Sequence, residues 1–377
     1  MTSVSIVGGG PVGLMMACLL SPWYYVTVYE KRSSYQRLHE LDIGGDVIGE
    51  LMSYCNNSVG LKDLVDVLNR WKNSSITTAV VEQELKAILD NKRIAIVEQE
   101  ITSPNELNSN IIIGCDGAHS AIRKSLHLNV QQSDPYYTKS EVIDTQQWGY
   151  LLSMRFSTAA STTPRKIISG LIYNIPSAMN GLGLDHESFH ALSPTDQSRK
   201  VSLYLPISAE LYQQLSGDQW TIAKLKQLGP SADALINHLE RYRLNLELRG
   251  GWISEEAIKV LPLTGYRAAS VSYVSETNTA FLVGDSSSGL VYRRGLKKGW
   301  KEACYLATQL MDVRTGSQDI DDVGVNYQRF CIDLYRQETA MIDQTQQRTE
   351  NVNTGLALAG IGALAFAAIG LAVALRR

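Results

Sequence analysis

Three glycines and an acid mark the first place where this chain has the residues for chemistry. Gly8, Gly10 and Gly13 stand at G-x-G-x-x-G spacing in "VSIVGGGPVGLMMACLL", with Pro11 and Val12 between the last two, and Glu30 follows Gly13 by 17 residues. In such a turn the first glycine allows the sharp bend, the second lets a pyrophosphate approach the main chain, and the third lets helix and strand pack closely. The helix N-terminus then faces the anion, and an acid at that distance accepts hydrogen bonds from an adenosine ribose. Two later stretches bring an aspartate and a glycine to the end of an apolar run: Asp116 and Gly117 in "NIIIGCDGAHSAIRKSL", and Gly284 and Asp285 in "NTAFLVGDSSSGL".

These residues need elements to hold them. "SVSIV" reads as a short buried strand and "PVGLMMACLL" as a helix, with Pro11 in the first turn, where a missing N–H costs nothing. "YVTVYE" is a second strand that ends in Glu30. The apolar run before Cys115 delivers Asp116 and Gly117 to a turn, after which Ser120 caps a helix carrying Arg123. The run before Gly284 is a strand as well, followed by small residues and a helix through Trp300, Ala303 and Leu306.

Composition narrows the function classes. A chain of 377 residues that is 44% hydrophobic can bury a large core, and its length suggests two domains or one large discontinuous one. A formal charge of −3 gives no basic field, so nucleic-acid binding is set aside. Cys18, Cys55, Cys115, Cys304 and Cys331 show no pairing or metal-ligand spacing, which points to a reducing compartment and to no metal site. No charged leader precedes the first strand. His39, His119 and His127 read as surface or capping residues, no hydrolytic triad is visible, and no catalytic residue is assigned.

Together the three strand-to-turn stretches resemble the flavoprotein monooxygenases of the para-hydroxybenzoate hydroxylase type, over most of residues 1–312. The resemblance implies a cofactor-binding set of Gly8, Gly10, Pro11, Val12, Gly13, Glu30, Lys31, Arg37, Asp116, Gly117, Gly284, Asp285 and Gly295. In that set the glycine loop and Glu30 hold the ADP half of FAD, and Arg37 lies beside the flavin. Asp116 and Gly117 serve FAD and a reduced nicotinamide, and Asp285 takes the ribityl chain. The implied activity is an FAD-dependent monooxygenase that uses NAD(P)H and O2 to hydroxylate or epoxidise an apolar or aromatic small molecule. A flavin reductase or oxidase without oxygen insertion, and a degenerate FAD-binding tethered protein, remain as alternatives.

The expected architecture is α/β: a Rossmann-like FAD-binding domain over 1–139 and 261–312, with an inserted mixed β-sheet substrate domain over 140–260. Residues 313–353 read as a helical extension. Tyr266 and Arg267 stand where a side chain would either enter the cleft or sit exposed at a strand end. The run after the third motif, "GDSSSGLVYRRGLKKGWKEA", departs from the family: Ser288 replaces a histidine, no proline follows, and Arg293, Arg294, Lys297 and Lys298 crowd a segment that is normally near neutral. Those four bases serve either phosphates or a solvated charge run.

The C-terminus differs in kind. "GLALAGIGALAFAAIGLAVAL" offers 21 uncharged apolar residues before Arg376 and Arg377, which predicts a transmembrane helix over 354–375 and a single-pass protein with its catalytic part in the cytosol. Gly355, Ala359, Ala363 and Ala367 share one face of that helix, the basis for expecting a homodimer. Membrane attachment would favour an apolar substrate.

Overall fold

The structure, a computed structural model, describes residues 2–32, 40–43, 45–72, 75–134, 138–159, 187–189, 198–218, 220–248, 252–275, 278–291 and 294–344. Its first sheet contains the four strands that the apolar runs predict, with two more at its edges. β1 (Ser3–Val7) pairs in parallel with β2 (Tyr25–Glu30) on one side and with β6 (Ile111–Gly114) on the other. β2 continues to β5 (Ala95–Glu98), and β6 to β12 (Thr279–Leu282), both again parallel. β11 (Ser272–Val274) closes that edge antiparallel, giving the order β11-β12-β6-β1-β2-β5. The strand order reverses between β1 and β6, and in open sheets of this kind the crevice beyond the carboxyl ends at such a reversal is where ligands bind.

Helix α1 (Pro11–Leu20) shows why its sequence carries no polar stripe. Every residue from Gly13 to Leu20 is buried, because the helix is enclosed by the sheet, by α4 (Thr78–Asn91) and by α9 (Arg294–Thr315). Each fully buried Leu or Met contributes about 1.5–3 kcal/mol, so the glycine loop before α1 is anchored to an element that resists displacement. α9 buries one face, running through Gly295, Lys298, Gly299, Glu302, Ala303, Leu306 and Leu310. Trp300 of α9 stacks on Trp71 of α3 (Lys62–Trp71), with ring centroids 5.7 Å apart.

The second sheet has the order β13-β10-β7-β9-β8, from β13 (Ser288–Gly289), β10 (Trp252–Ala268), β7 (Val142–Ala159), β9 (Ser198–Ile207) and β8 (Glu187–Phe189). All four pairings among the described residues are antiparallel, where the sequence reading expects a mixed sheet. The reason lies at the neck: Val142 pairs with Ala268, so the chain leaves and re-enters the first domain at one end and its two long strands must run in opposite directions. β10 runs past residue 260, where the expected substrate domain ends, to Ala268. Helices α6 (Ala209–Leu215), α7 (Ile222–Leu225) and α8 (Asp233–Leu248) bury Leu215, Ile222, Leu225, Ile236 and Leu239 against Leu152, Met154 and Ile258 of this sheet.

A last helix, α10, spans 320–344 and is part of the folded body. The Tyr327 hydroxyl donates to the Leu282 carbonyl at 2.7 Å in the first sheet. The Tyr335 hydroxyl donates to the Asp144 carbonyl at 2.8 Å, and the Asp343 carboxylate accepts from Gln146 and from the Trp148 indole, each at 2.8 Å, in the second. The expected transmembrane helix and single-pass localisation are corrected here: among the described residues no helix is long and apolar enough to cross a membrane. The long α9 fails because Arg294, Lys297, Lys298, Lys301 and Glu302 interrupt it within its first turns, whereas a span needs about 20 largely apolar residues. The stretch 354–375 itself, with the helix face behind the homodimer expectation, lies outside the described residues.

Candidate functional site

The glycine loop is shaped by what surrounds it. The Gly8 amide donates to the Tyr29 carbonyl at 2.8 Å, and its φ of +107° is a conformation that side chains disfavour. A Cβ there would also meet the Cys115 carbonyl oxygen at 2.4 Å, so the ends of β1 and β6 come together only over a glycine. At Gly13 a Cβ would lie 1.9 Å from the Gly8 oxygen, which is how closely α1 sits on its own loop. Gly10 is different, since among the described residues nothing lies within 4 Å of the space a Cβ would take, and no side chain caps the helix it begins. Open space in front of uncapped first-turn amides suits an anion.

Glu30 bends back over this loop. One carboxylate oxygen accepts from the Gly9 amide at 2.7 Å and the other from the Arg32 amide at 3.0 Å. A carboxylate has about four lone-pair sites, so capacity for sugar hydroxyls remains. Lys31 turns instead to Glu100 at 3.0 Å on an exposed edge, away from the loop. Arg37 lies outside the described residues.

The Asp116 turn ends β6, where the Cys115 amide donates to the Val7 carbonyl at 2.7 Å. The Asp116 carboxylate faces into the fold: it accepts from the Ser120 hydroxyl at 2.5 Å and from the Ala121 amide at 2.7 Å. Ser120 in turn caps α5 (Ala121–Ser133) by accepting from the Arg123 amide at 2.9 Å, as its sequence position suggests. Burial pushes the neighbouring Cys115 thiol well above its ordinary range, with Asp116 adding to the effect, so the thiol stays protonated.

Arg123 and Tyr266 join this turn to the third. The buried guanidinium donates to the carbonyls of Ala118 at 2.7 Å and Ser286 at 3.2 Å, with Asp285 O at 3.4 Å, and pairs with Glu141 at 3.5 Å. It also lies 5.2 Å from the centre of the Tyr266 ring. The Tyr266 hydroxyl, with one proton to give, donates to the Asp285 carbonyl at 2.8 Å. Burial raises this phenol to about 12, against the opposing influence of Arg123. Arg267 departs in the other direction, forming an ion pair with Asp144.

The third turn starts where the Val283 amide donates to the Gly114 carbonyl at 2.9 Å. Gly284 has a φ of +77°, and Val12 packs so closely that a Cβ would meet its Cγ1 at 3.1 Å. A Cβ on Gly299 of α9 would meet Val12 Cγ2 at 2.8 Å, and the Trp300 indole donates to the Pro11 carbonyl at 3.1 Å. The Asp285 carboxylate sits over the start of α9, where a Cβ at Gly295 would approach its Oδ1 to 2.9 Å. Gly8, Gly10, Val12, Gly13, Gly117, Gly284, Asp285 and Gly295 therefore cluster at the carboxyl ends of β1, β6 and β12.

The bases that crowd the third motif separate. Lys298 is fully buried and bonded to Glu302 at 2.8 Å, which corrects both readings of it, as a phosphate partner and as a solvated charge. Arg294 pairs with Glu338 of α10 at 2.7 Å, and Arg293 lies outside the described residues. Ser288 is buried, and its hydroxyl has no hydrogen-bond partner among the described residues. Glu302 is the site-shaping residue that the sequence reading misses; its i,i+4 spacing from Lys298 is the available signal. A cavity of about 210 Å³ near Tyr273, Asn278, Asn105 and Asn129 lies at the opposite, amino-terminal ends of β6 and β12.

No family model matches the chain, and no curated protein matches it in sequence. Solved structures do. The Diels-Alderase PyrE3 of pyrroindomycin biosynthesis superposes with a TM-score of 0.54 at 14% identity, over 93% of this chain and 74% of that one. A mutant form of MHPCO, the 2-methyl-3-hydroxypyridine-5-carboxylic acid oxygenase, gives 0.53 at 15% identity over 92% of both chains. The flavin-dependent halogenase CmlS gives 0.50 at 15% identity, over 89% of this chain and 62% of its own. At such identities the likeness establishes a shared fold.

Proposed function

We propose that the chain is an FAD-dependent monooxygenase that uses NAD(P)H and O2 to hydroxylate or epoxidise an apolar or aromatic small molecule. The observation that carries this is the convergence of three strand-to-turn units, those of Gly8–Gly13, Asp116–Gly117 and Gly284–Asp285, at the carboxyl ends of adjacent parallel strands. When bound, FAD supplies the electron transfer and oxygen chemistry. The chain supplies the seat. First-turn amides of α1 take the pyrophosphate through the opening at Gly10, Glu30 takes the adenosine ribose, and Asp285 takes the ribityl hydroxyls. Beyond the third turn, Trp148, Leu151, Leu263, Leu290 and Val291 form an apolar cluster that limits water on that side.

An oxygenase and a flavin-dependent halogenase of this fold support an oxidative flavin reaction. A Diels-Alderase on the same fold shows why fold alone does not choose the reaction. A second reading, a flavin reductase or oxidase that inserts no oxygen, is favoured by Ser288, which brings no acid–base group to the position of the family's histidine.

The test is a visible spectrum of the purified protein, with FAD added and then with NADPH or NADH, followed by mass analysis of product formed under isotopically labelled oxygen. Flavin absorption that bleaches with a nicotinamide, and label in the product, are the expected results. Label that appears only in water or peroxide selects the second reading. Protein that takes up no flavin overturns both.

A further inference from the structure

Beneath the Gly284 turn lies a closed set of charges. Lys298 and Glu302 project from one face of α9, and both side chains are 0% exposed. The Glu302 carboxylate accepts from the Gly284 amide at 2.7 Å, while the Lys298 ammonium donates to the Gly284 carbonyl at 3.2 Å. The Ser287 hydroxyl lies 2.7 Å and 2.8 Å from the two Glu302 oxygens and 3.2 Å from the Lys298 nitrogen. With one proton, it donates to Glu302 and accepts from Lys298.

The amide of Gly284 belongs to the peptide plane before its Cα, and the carbonyl to the plane after it. Each plane is therefore held by one member of the ion pair. Since Gly284 is at a φ of +77°, where a glycine is otherwise free to move, this double hold selects one shape from many. From the other side, Tyr266 holds the Asp285 carbonyl and Arg123 the Ser286 carbonyl. Three successive carbonyls thus turn inward, and the Asp285 side chain is left on the exposed side of the turn.

A buried ion pair is a poor stability device, because an apolar pair of similar volume commonly does as well or better. Its retention here needs another reason, and the two peptide planes provide it. We propose that Lys298 and Glu302 are positioning residues that hold the Asp285 carboxylate in place for the ribityl hydroxyls of FAD; this rests on the reading of the chain as an FAD protein. Both side chains are sealed beneath the turn and bond its main chain, so both act through Gly284.

The experiment compares wild type, Lys298→Met, the double variant Lys298→Met/Glu302→Met, and Ser287→Ala. It measures the melting temperature of the apoprotein, the FAD dissociation constant by fluorescence quenching, and the visible circular dichroism of bound flavin. The single lysine variant strands a buried carboxylate and melts early. The double variant, which removes the stranded charge but also the acceptor of the buried Gly284 amide, is expected to melt above Lys298→Met and below wild type, and to bind FAD at least tenfold more weakly with an altered dichroism band. Ser287→Ala, a smaller change that keeps the fold, is expected to weaken FAD several-fold. Wild-type affinity and dichroism in the double variant and in Ser287→Ala would overturn the assignment while leaving the FAD reading intact. Wild-type protein that takes up no FAD would overturn both.

Discussion

The hydroxyl of Tyr266 donates to the main-chain carbonyl of Asp285 at 2.8 Å, so a residue of the second sheet holds the turn that ends a strand of the first. Tyr266→Phe removes this bond and keeps the ring against Arg123. The longer contact from the Arg123 guanidinium to the Asp285 carbonyl, at 3.4 Å, remains. Equilibrium urea unfolding is expected to show a loss of about 0.5–1.5 kcal/mol, the usual net worth of one intramolecular hydrogen bond.

The same phenol gives a pH dependence. Burial raises Tyr266 from 10.0 to about 12 in the folded chain, and burial does the same to Tyr24 and Tyr335. Between those values the unfolded chain loses protons that the folded chain keeps, so ionisation favours unfolding and stability falls as pH rises. The contribution is fully present below pH 10 and is lost as pH climbs through about 12. Urea midpoints measured upward from pH 10 should decline, less steeply in Tyr266→Phe than in wild type. A midpoint that is flat over that range in wild type would contradict the burial of these phenols.

Gly10 and Gly13 separate folding from binding. A methyl at position 13 would lie 1.9 Å from the main-chain oxygen of Gly8, and neither the strand nor the helix can yield, so Gly13→Ala should cost about 1–3 kcal/mol or more and lower the melting temperature. A methyl at position 10 meets nothing among the described residues, so Gly10→Ala should melt like wild type. It should nevertheless bind FAD at least tenfold more weakly, since the methyl enters the space proposed for the pyrophosphate. Isothermal titration beside thermal melting of both variants checks this contrast.

Asp343 makes α10 a clamp. Asp343→Ala removes the acceptor of both the Gln146 amide and the Trp148 indole, and each lost hydrogen bond costs about 0.5–1.5 kcal/mol. Hydrogen exchange should accelerate in the 142–150 part of β7 and remain unchanged in β1 and β2. Uniform acceleration would show that the helix does not act locally.

The three strand-to-turn units are legible in the sequence because each joins two independent signals: an apolar run that must be buried, and a glycine that only a tight turn or close approach requires. Lys298 cannot be read in the same way. Charges at i and i+4 look alike on a solvated face and in a sealed one, and only the packing of α9 under Gly284 distinguishes them. Asp116 is legible as the end of a strand, but whether its carboxylate faces a ligand or caps a helix depends on where Ser120 and the Ala121 amide fall. The role of α10 is hidden for another reason: the polar pattern of 320–344 looks like a surface extension, while the contacts of Tyr327, Tyr335 and Asp343 are made nearly one side chain at a time with strands far away in sequence.

The neck at Val142 and Ala268, where the Ala269 amide also donates to the Glu141 carbonyl at 3.0 Å, has a bearing on descent and engineering. A block that departs and returns through one doorway can be exchanged as a cassette, so sheets of differing shape can be carried by a common parallel-sheet chassis. The cassette is not self-sufficient, however: its buttons at Asp144, Gln146 and Trp148 fasten to 320–344, so a chimera that inherits the block must inherit that C-terminal helix from the same parent.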